Sequence, residues 1–250
     1  MTGGERKRRL DQLLVERGLA ESRARAQALI LAGLVYSGER RLEKPGQLVE
    51  AGAALALRGK SHPWVSRGGV KLAHGLAHFA IDPHGQIALD IGASTGGFTD
   101  VLLAGGAAKV YAVDVGHGQL AWSLRQDPRV VVLERTNGRF LDRVLVPEPV
   151  GLITCDASFI GLRLVLAPAL LLAAPGARVV ALIKPQFEVG PQRVGRGGVV
   201  RDAALHAEVC AAMADWLNAR PGWRVIGIVP SPITGPEGNK EFLIGAQQAD

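Results

Sequence analysis

Cysteine, tyrosine and methionine are scarce, with two of each in 250 residues. Cys155 and Cys210 cannot build a disulfide framework, and no Cys/His cluster has metal-ligand spacing. Neither a stapled secreted fold nor a metal centre is expected. Long hydrophobic runs are missing as well. The most apolar stretch, Leu164 to Ala177, contains Pro168 and Pro175 and stops at Arg178. That is short of the roughly 20 residues a membrane span needs. No apolar leader opens the sequence. These absences point to a reduced, cytoplasmic protein with no membrane partner. Hydrophobic residues still make up 48% of the chain, enough for a core in one large or two unequal domains.

Charge is unevenly spread. Residues 1–72 hold 14 Lys and Arg against 7 Asp and Glu, a balance of +7, while the rest holds 15 against 16, a balance of −1. A basic module ahead of a nearly neutral domain fits binding to a phosphate backbone.

The basic module opens with an arm ending Arg6-Lys7-Arg8-Arg9. Leu10, Leu13, Leu14 and Val15 mark a short amphipathic helix ending near Gly18. Ser22 is placed to cap a second helix carrying Ala26, Leu29, Ile30 and Leu31, closed by Gly33. Short extended pieces from Val35 to Leu57 follow, separated by Ser37-Gly38, Pro45-Gly46 and Ala51-Gly52. The segment 9–58 resembles the small RNA-binding domain first described in ribosomal small-subunit protein S-four. The matching residues are Arg9-Leu10-Asp11-Gln12-Leu13-Leu14, Ser22-Arg23-Ala24-Arg25-Ala26, Ile30, Gly33-Leu34-Val35 and Val49. The resemblance implies that Arg23 and Arg25 meet RNA phosphates, with Arg6, Arg9 and, beyond the linker, Arg67 as further contacts. Domain bounds of 1–60, a linker at 61–65 and a second domain at 66–250 follow.

The second domain is organised around Asp90-Ile91-Gly92-Ala93-Ser94-Thr95-Gly96-Gly97-Phe98-Thr99-Asp100. A buried strand (Ile87-Ala88-Leu89) runs into a glycine turn and a helix start, where main-chain N–H groups can meet a ligand. Asp114 ends the next apolar run, where a carboxylate suits a ribose diol. Together they resemble the S-adenosylmethionine site of Rossmann-like methyltransferases. That resemblance implies Asp90, Gly92, Ser94, Gly96 and Phe98 around the methionine end, Asp114 on the ribose, and Thr136-Asn137 near the adenine. Strand-like runs at Lys109–Val115, Val130–Leu133, Gly151–Cys155, Arg178–Ile183, Trp223–Val229 and Phe242–Gly245 alternate with helix-like segments at Gly118–Arg125, Leu162–Ala173 and Asp202–Ala219. The alternation predicts a mostly parallel α/β sheet, with an antiparallel pair at its end. His74 and His78 lie i, i+4 on a helix, but without a third ligand they read as structural.

The strand ends decide the chemistry. Asp156-Ala157-Ser158-Phe159 follows the fourth run; it is neither the Asn/Asp-Pro-Pro-aromatic tetrad of amino-group methyltransferases nor the Pro-Cys of cytosine-carbon ones. Cys155 reads as a small core residue. Lys184 ends an apolar strand, a costly place for a charge unless carboxylates such as Asp156 and Glu241 accompany it. Lys71, Asp156, Lys184 and Glu241 resemble the Lys-Asp-Lys-Glu tetrad of ribose 2′-O-methyltransferases. With the RNA-binding module in front, the chain resembles the TlyA/haemolysin-A family of rRNA methyltransferases, whose methyltransferase domain is FtsJ-like. Val65 to Leu72, Asp90 to Thr99, Ala112 to Gly116, Cys155 to Ile160, Ile183 to Glu188 and Gly235 to Glu241 carry the match. The linker departs from the family pattern at His62-Pro63. The resemblance implies Lys184 as base, Lys71 orienting the ribose hydroxyl, and ribosomal RNA within ribosomal subunits as substrate. It leaves the oligomeric state as monomer or weak dimer.

The glycine-rich stretch from Gly190 to Gly198, with Arg193 and Arg196, reads as a flap that orders on RNA and would then resist protease. Two other classes compete: a non-catalytic RNA-binding ribosome-assembly factor, which the intact tetrad argues against, and a pore-forming cytolysin, which the missing spans argue against.

Overall fold

A computed structural model of the chain describes residues 7–58 and 62–249. It divides into two compact units between Arg67 and Gly68. Arg6 lies outside the described residues.

In the first unit, β1 (Lys7–Arg9) precedes α1 (Leu10–Glu16) and α2 (Arg23–Leu31). Four short strands follow: β2 (Val35–Ser37), β3 (Arg40–Arg41), β4 (Leu48–Glu50) and β5 (Leu55–Leu57). The main-chain N–H of Arg25 donates to Ser22 Oγ (3.2 Å), closing the expected cap, which is worth about 1 kcal/mol. Gly33, at φ +72°, turns the chain out of α2. Leu10, Leu14, Ala26, Leu29, Ile30, Val35 and Leu42 bury one small core between the helices and the strands. β1 pairs with β4, while β2 pairs with both β3 and β5, all antiparallel.

The second unit begins with α3 (Gly68–His78), then β6 (Ile87–Ile91), α4 (Gly97–Ala104), β7 (Lys109–Val113), α5 (Trp122–Arg125) and β8 (Val130–Leu133). β9 (Val150–Cys155), α6 (Leu162–Leu170), β10 (Ala173–Ile183), α7 (Pro185–Glu188), α8 (Ala203–Asn218), β11 (Trp223–Pro230) and β12 (Phe242–Gln248) complete it. One seven-stranded sheet runs β11-β12-β10-β9-β6-β7-β8. β6 to β10 are parallel; β12 is antiparallel to both β10 and β11. The core is built from Leu89, Ile91, Val113, Ile153, Val179, Ile183, Met213 and Leu217 with their neighbours. His74 and His78 stack on one another at 6.1 Å. Cys155 is fully buried, its thiol pushed up to about 12 by that burial.

Two elements differ from the sequence pattern. The helix expected over Gly118–Arg125 is only Trp122–Arg125, because Gly118 takes φ +67° and its N–H donates to Glu134 Oε1 (2.8 Å) instead of entering a helix. The strand expected from Arg178 begins at Ala173, where an irregularity absorbs Pro175 and Gly176 before regular pairing resumes at Arg178.

Candidate active site

The carboxyl ends of the parallel strands gather the polar residues. Asp90, at the end of β6, is fully buried and accepts from Thr99 Oγ1 (2.7 Å) and Thr154 Oγ1 (3.2 Å). Burial pushes its carboxyl up to about 7; the threonine hydroxyls oppose the rise and the charge of Asp156 adds to it. A carboxyl raised in the folded state stabilises the fold below its ordinary value, and that contribution is lost as pH climbs through about 7. Asp90→Asn should therefore gain several degrees of melting temperature on wild type between about pH 5 and about pH 8. A difference that stays constant across that window would count against a protonated Asp90.

The turn after Asp90 is fixed by sterics. At Gly92 (φ +81°), a Cβ would lie 2.9 Å from the main-chain nitrogen of Ala157, so only glycine lets the end of β6 pass the turn after β9. Ser94 adopts φ +49° and Gly96 φ +95°, leading into α4. Phe98 is buried in the first turn of α4, so only its main chain is available to border a ligand.

Asp114 ends β7, half-buried. Ser94 N donates to its Oδ2 (2.8 Å) and Gly116 N to its Oδ1 (2.7 Å). A carboxylate oxygen accepts two bonds, so each retains a position that a vicinal diol could fill. Thr136 N donates to the carbonyl of Asp114 (2.9 Å), which seats Thr136 beside it. Asn137 Oδ1 accepts from Arg139 N (3.0 Å) and caps the following short turn. The donor set suits the ribose end of a nucleoside cofactor.

Lys71 (α3), Asp156 (after β9), Lys184 (after β10) and Glu241 (before β12) come together in space. Lys71 Nζ lies 2.6 Å from Glu241 Oε2 and 3.8 Å from Asp156 Oδ2. Lys184 Nζ lies 2.6 Å from Asp156 Oδ1 and donates to Ser158 Oγ (2.8 Å) and to the carbonyl of Asp156 (3.2 Å). Glu241 is 2% exposed and Lys184 6%. Burial alone would raise the Asp156 carboxyl, but Lys184 and Lys71 outweigh it and hold it below its ordinary value. One carboxylate thus bridges two cations, and a second steadies one of them.

Gly235 makes room for this pairing. A Cβ there would lie 2.2 Å from Glu241 Oε1, and that carboxylate is already committed to Lys71. Gly235→Ala should displace it and lower turnover about 100-fold while cofactor affinity stays near wild type, a split that paired kinetic and binding titrations would read. Equal turnover in the variant would show that the Lys71–Glu241 pair tolerates movement.

Ser158 and Glu188 enter the sequence reading only as parts of motifs. Ser158 contacts the Lys184 amine, and Glu188 Oε1 accepts from Leu162 N at the start of α6 (2.7 Å). That bond ties the turn bearing Lys184 to the turn bearing Phe159. The Phe159 ring is 91% exposed, at φ +64°, and lies 5.1 Å from that of Phe187. No sequence periodicity marks these links, because they join residues distant in the chain.

The arginines expected on RNA divide by partner. Arg9 and Arg23 both bind the buried Asp11: Arg9 through Nε and Nη2 (3.0 Å each) and Arg23 through Nε (2.9 Å), joined by Gln27 Nε2 (3.1 Å). Arg25 is exposed. Arg67 pairs with Glu43 at 3.1 Å and is mostly covered. Arg193 pairs with Glu208 (2.7 Å) and donates to the Val189 carbonyl (2.9 Å); Arg196 is exposed. Arg9, Arg23, Arg67 and Arg193 thus hold the fold together as well as presenting charge. The 190–198 loop forms two short turns, Pro191–Arg193 and Arg196–Gly198. Among the described residues no group of three or more His, Cys, Asp or Glu could hold a metal, and no helix is long and apolar enough to cross a membrane.

Comparison with known proteins agrees with this geometry. Residues 64–248 match the FtsJ-like methyltransferase family, and residues 8–55 match the S4 domain. YqxC of Bacillus subtilis is 49% identical over 243 residues, covering 96% of this chain and 85% of the relative. The 16S/23S rRNA (cytidine-2'-O)-methyltransferase TlyA of Mycobacterium tuberculosis is 49% identical over 240 residues, covering 96% of this chain and 89% of the relative. A solved Streptococcus thermophilus structure bearing a hemolysin name superposes with a TM-score of 0.75 at 41% identity, covering 99% of this chain and 90% of its own. The chain belongs to the FtsJ-like methyltransferase family, in the group that joins this domain to an S4 domain and includes TlyA.

Proposed function

We propose that this protein methylates a ribose 2′-oxygen of ribosomal RNA, with S-adenosylmethionine as methyl donor and Lys184 as base. The observation that carries the reading is the convergence of Lys71, Asp156, Lys184 and Glu241, drawn from four separate elements, in one ion-paired cluster at the strand ends. The half-buried Asp114 carboxylate beside the Gly92–Gly96 turn, and the 49% identity to an rRNA (cytidine-2'-O)-methyltransferase, support it.

When bound, the cofactor supplies an electrophilic methyl group on a sulfonium; the protein must supply orientation and a proton acceptor. Asp114 would hold the cofactor ribose and the Asp90–Phe98 turn would border the methionine end, with Thr136 and Asn137 beside the adenine. A ribose hydroxyl entering beside Ser158 meets Lys184 Nζ, which in its neutral form takes the hydroxyl proton as the oxygen attacks. Lys71 steers the same hydroxyl, while Asp156 and Glu241 fix both amines; alignment supplies the rest of the acceleration. Arg25 of the S4 domain and Arg196 of the 190–198 loop offer exposed charge for phosphates, and the Phe159 ring offers a face for a base.

Tritium transfer from labelled S-adenosylmethionine to separated ribosomal subunits, followed by nucleoside analysis, tests this. Label on a ribose 2′-oxygen is expected. Label on a base would overturn the mechanism, and no label with the cofactor bound would favour a binding-only assembly factor.

A further inference from the structure

The basic 190–198 loop and the carboxylate of Glu241 are held by one side chain. Asn239 is 3% exposed, and its amide is used at both ends: Nδ2 donates to the Gly198 carbonyl (2.9 Å), and Oδ1 accepts from Val200 N (3.1 Å). Its own carbonyl accepts from Gly235 N (2.9 Å). Gly235 is the residue whose backbone lies against Glu241 Oε1. Val200 is fastened at its other end too, since its carbonyl lies 2.9 Å from His206 Nε2. The His206 ring in turn packs on Phe242, next to Glu241, at 5.6 Å. The loop holds Gly190, Gly197 and Gly198 at positive φ with open space where a Cβ would lie, and exposes Arg196. A loop able to rearrange on one side, and pinned by a buried amide on the other, can pass a displacement to the turn that seats Glu241. An amide is suited to this because it donates and accepts in fixed directions, and a buried amide that loses either partner costs about 1–3 kcal/mol.

We propose that Asn239 is a positioning residue. By gripping Gly198 and Val200 with its amide and Gly235 with its carbonyl, it sets the Glu241 carboxylate against Lys71, so the arrangement of the basic loop governs the rate of methyl transfer. This rests on the tetrad reading above and adds to it a residue that touches no reacting atom. An RNA phosphate seated on Arg196 would be sensed through this amide, so loop docking and assembly of the tetrad would be one event.

A double-substitution cycle tests it in the full-length protein, with separated ribosomal subunits as substrate and kcat, KM and cofactor Kd as readouts. Gly198→Val perturbs the loop through the backbone whose carbonyl Asn239 grips, because the space around a Cβ there is open while φ is +76°. Asn239→Ala removes both amide bonds, and Asn239→Asp keeps the acceptor for Val200 N while losing the donor to Gly198. Asn239→Ala is expected to lower kcat about 100-fold with cofactor Kd unchanged, the scale of a small misplacement. Asn239→Asp, which sets a buried carboxylate oxygen against the Gly198 carbonyl, should be at least as impaired as Asn239→Ala. Gly198→Val should lower kcat about tenfold in wild type and add almost nothing in the Asn239→Ala background, since coupled residues are not additive. Independent, multiplying effects, or a normal kcat in Asn239→Ala or in Gly198→Val, overturn the proposal. Should Asn239→Ala fail to fold, the cycle with Asn239→Asp is read by the same criteria. A wild type that labels neither subunit overturns the functional reading, and this one with it. An active wild type that loses turnover on Glu241→Ala but not on Asn239→Ala overturns this inference alone.

Discussion

Lys184→Ala is expected to fold, bind S-adenosylmethionine and bind RNA as wild type does, yet lose methyl transfer by about three orders of magnitude. The expectation follows from what the amine touches. Its neighbours are the Asp156 carboxylate, the Asp156 carbonyl and the Ser158 hydroxyl, and the Asp114 and Gly92–Gly96 region lies on other strands. On the proposed reading, removing the side chain would delete the proton acceptor and leave the proposed cofactor contacts in place. One structural cost is foreseeable: Asp156 keeps only the more distant Lys71 as a cation, at 3.8 Å. Lys184→Arg controls for it, restoring a charge near Asp156 but not a base, and should remain as inactive as the alanine variant. Single-turnover rates at saturating cofactor make the measurement. A Lys184→Ala protein that methylates at a normal rate would remove lysine as base and leave Asp156 as the next residue to consider.

The second large effect is expected in the RNA-binding unit and involves an acidic residue. Asp11 is fully buried and gathers Arg9, Arg23 and Gln27 from three points of the chain. The Arg9 guanidinium holds its carboxyl far below the ordinary carboxylate range, with Arg23 and Gln27 adding to the effect against the cost of burial. Asp11→Ala removes the buried carboxylate on which Arg9, Arg23 and Gln27 converge; the freed arginines can turn to water, so what is lost is the tie between β1, α1 and α2. A unit this small has little stability to lose. The S4 unit should unfold or loosen while the second unit, with its own core, remains folded. The readout is paired: RNA binding falls at least tenfold, cofactor binding does not change, and protease cuts appear in the first 60 or so residues. Acid should reach the same end. A depressed carboxyl stabilises the fold above its ordinary value near 4, and that contribution drains away as pH falls below it. RNA affinity unchanged in Asp11→Ala would show that the arginines find phosphates without the carboxylate.

Much of this site could be read from residue order because its parts sit where strands end. Asp90, Asp114, Asp156 and Lys184 each close an apolar run, and a charge at the end of a buried strand has few explanations other than a site. The run from Val130 to Leu133 was visible because an apolar run is a local property, and the antiparallel pairing at the end of the sheet because a polar loop without a clear helix joins the last two runs. What could not be read depends on pairs far apart in sequence. Arg9 and Arg23 read as RNA contacts, and nothing local shows Asp11 turning inward between them. Asn239 enters the sequence reading only within the stretch from Gly235 to Glu241, and the partners of its amide lie some forty positions away. The helix expected at Gly118 starts late because Gly118 takes left-handed backbone at φ +67°, with its N–H donated to Glu134, sixteen residues on.

The strand order has a consequence in time as well as in space. β12 lies between β10 and β11, both of which are made before it, and β11 joins the sheet only through β12. During synthesis the parallel core and three of the four clustered side chains, Lys71, Asp156 and Lys184, can take their places first. Glu241 arrives with the strand that must then slip in beside β10. Until it does, Lys71 lacks its 2.6 Å partner, and β11 has no neighbour in the sheet. The parallel strands carrying Asp90 and Asp114 can therefore be in place before the four-residue cluster is complete. If the chain folds as it is synthesised, that order keeps the four-residue cluster unassembled until β12 is free to pair.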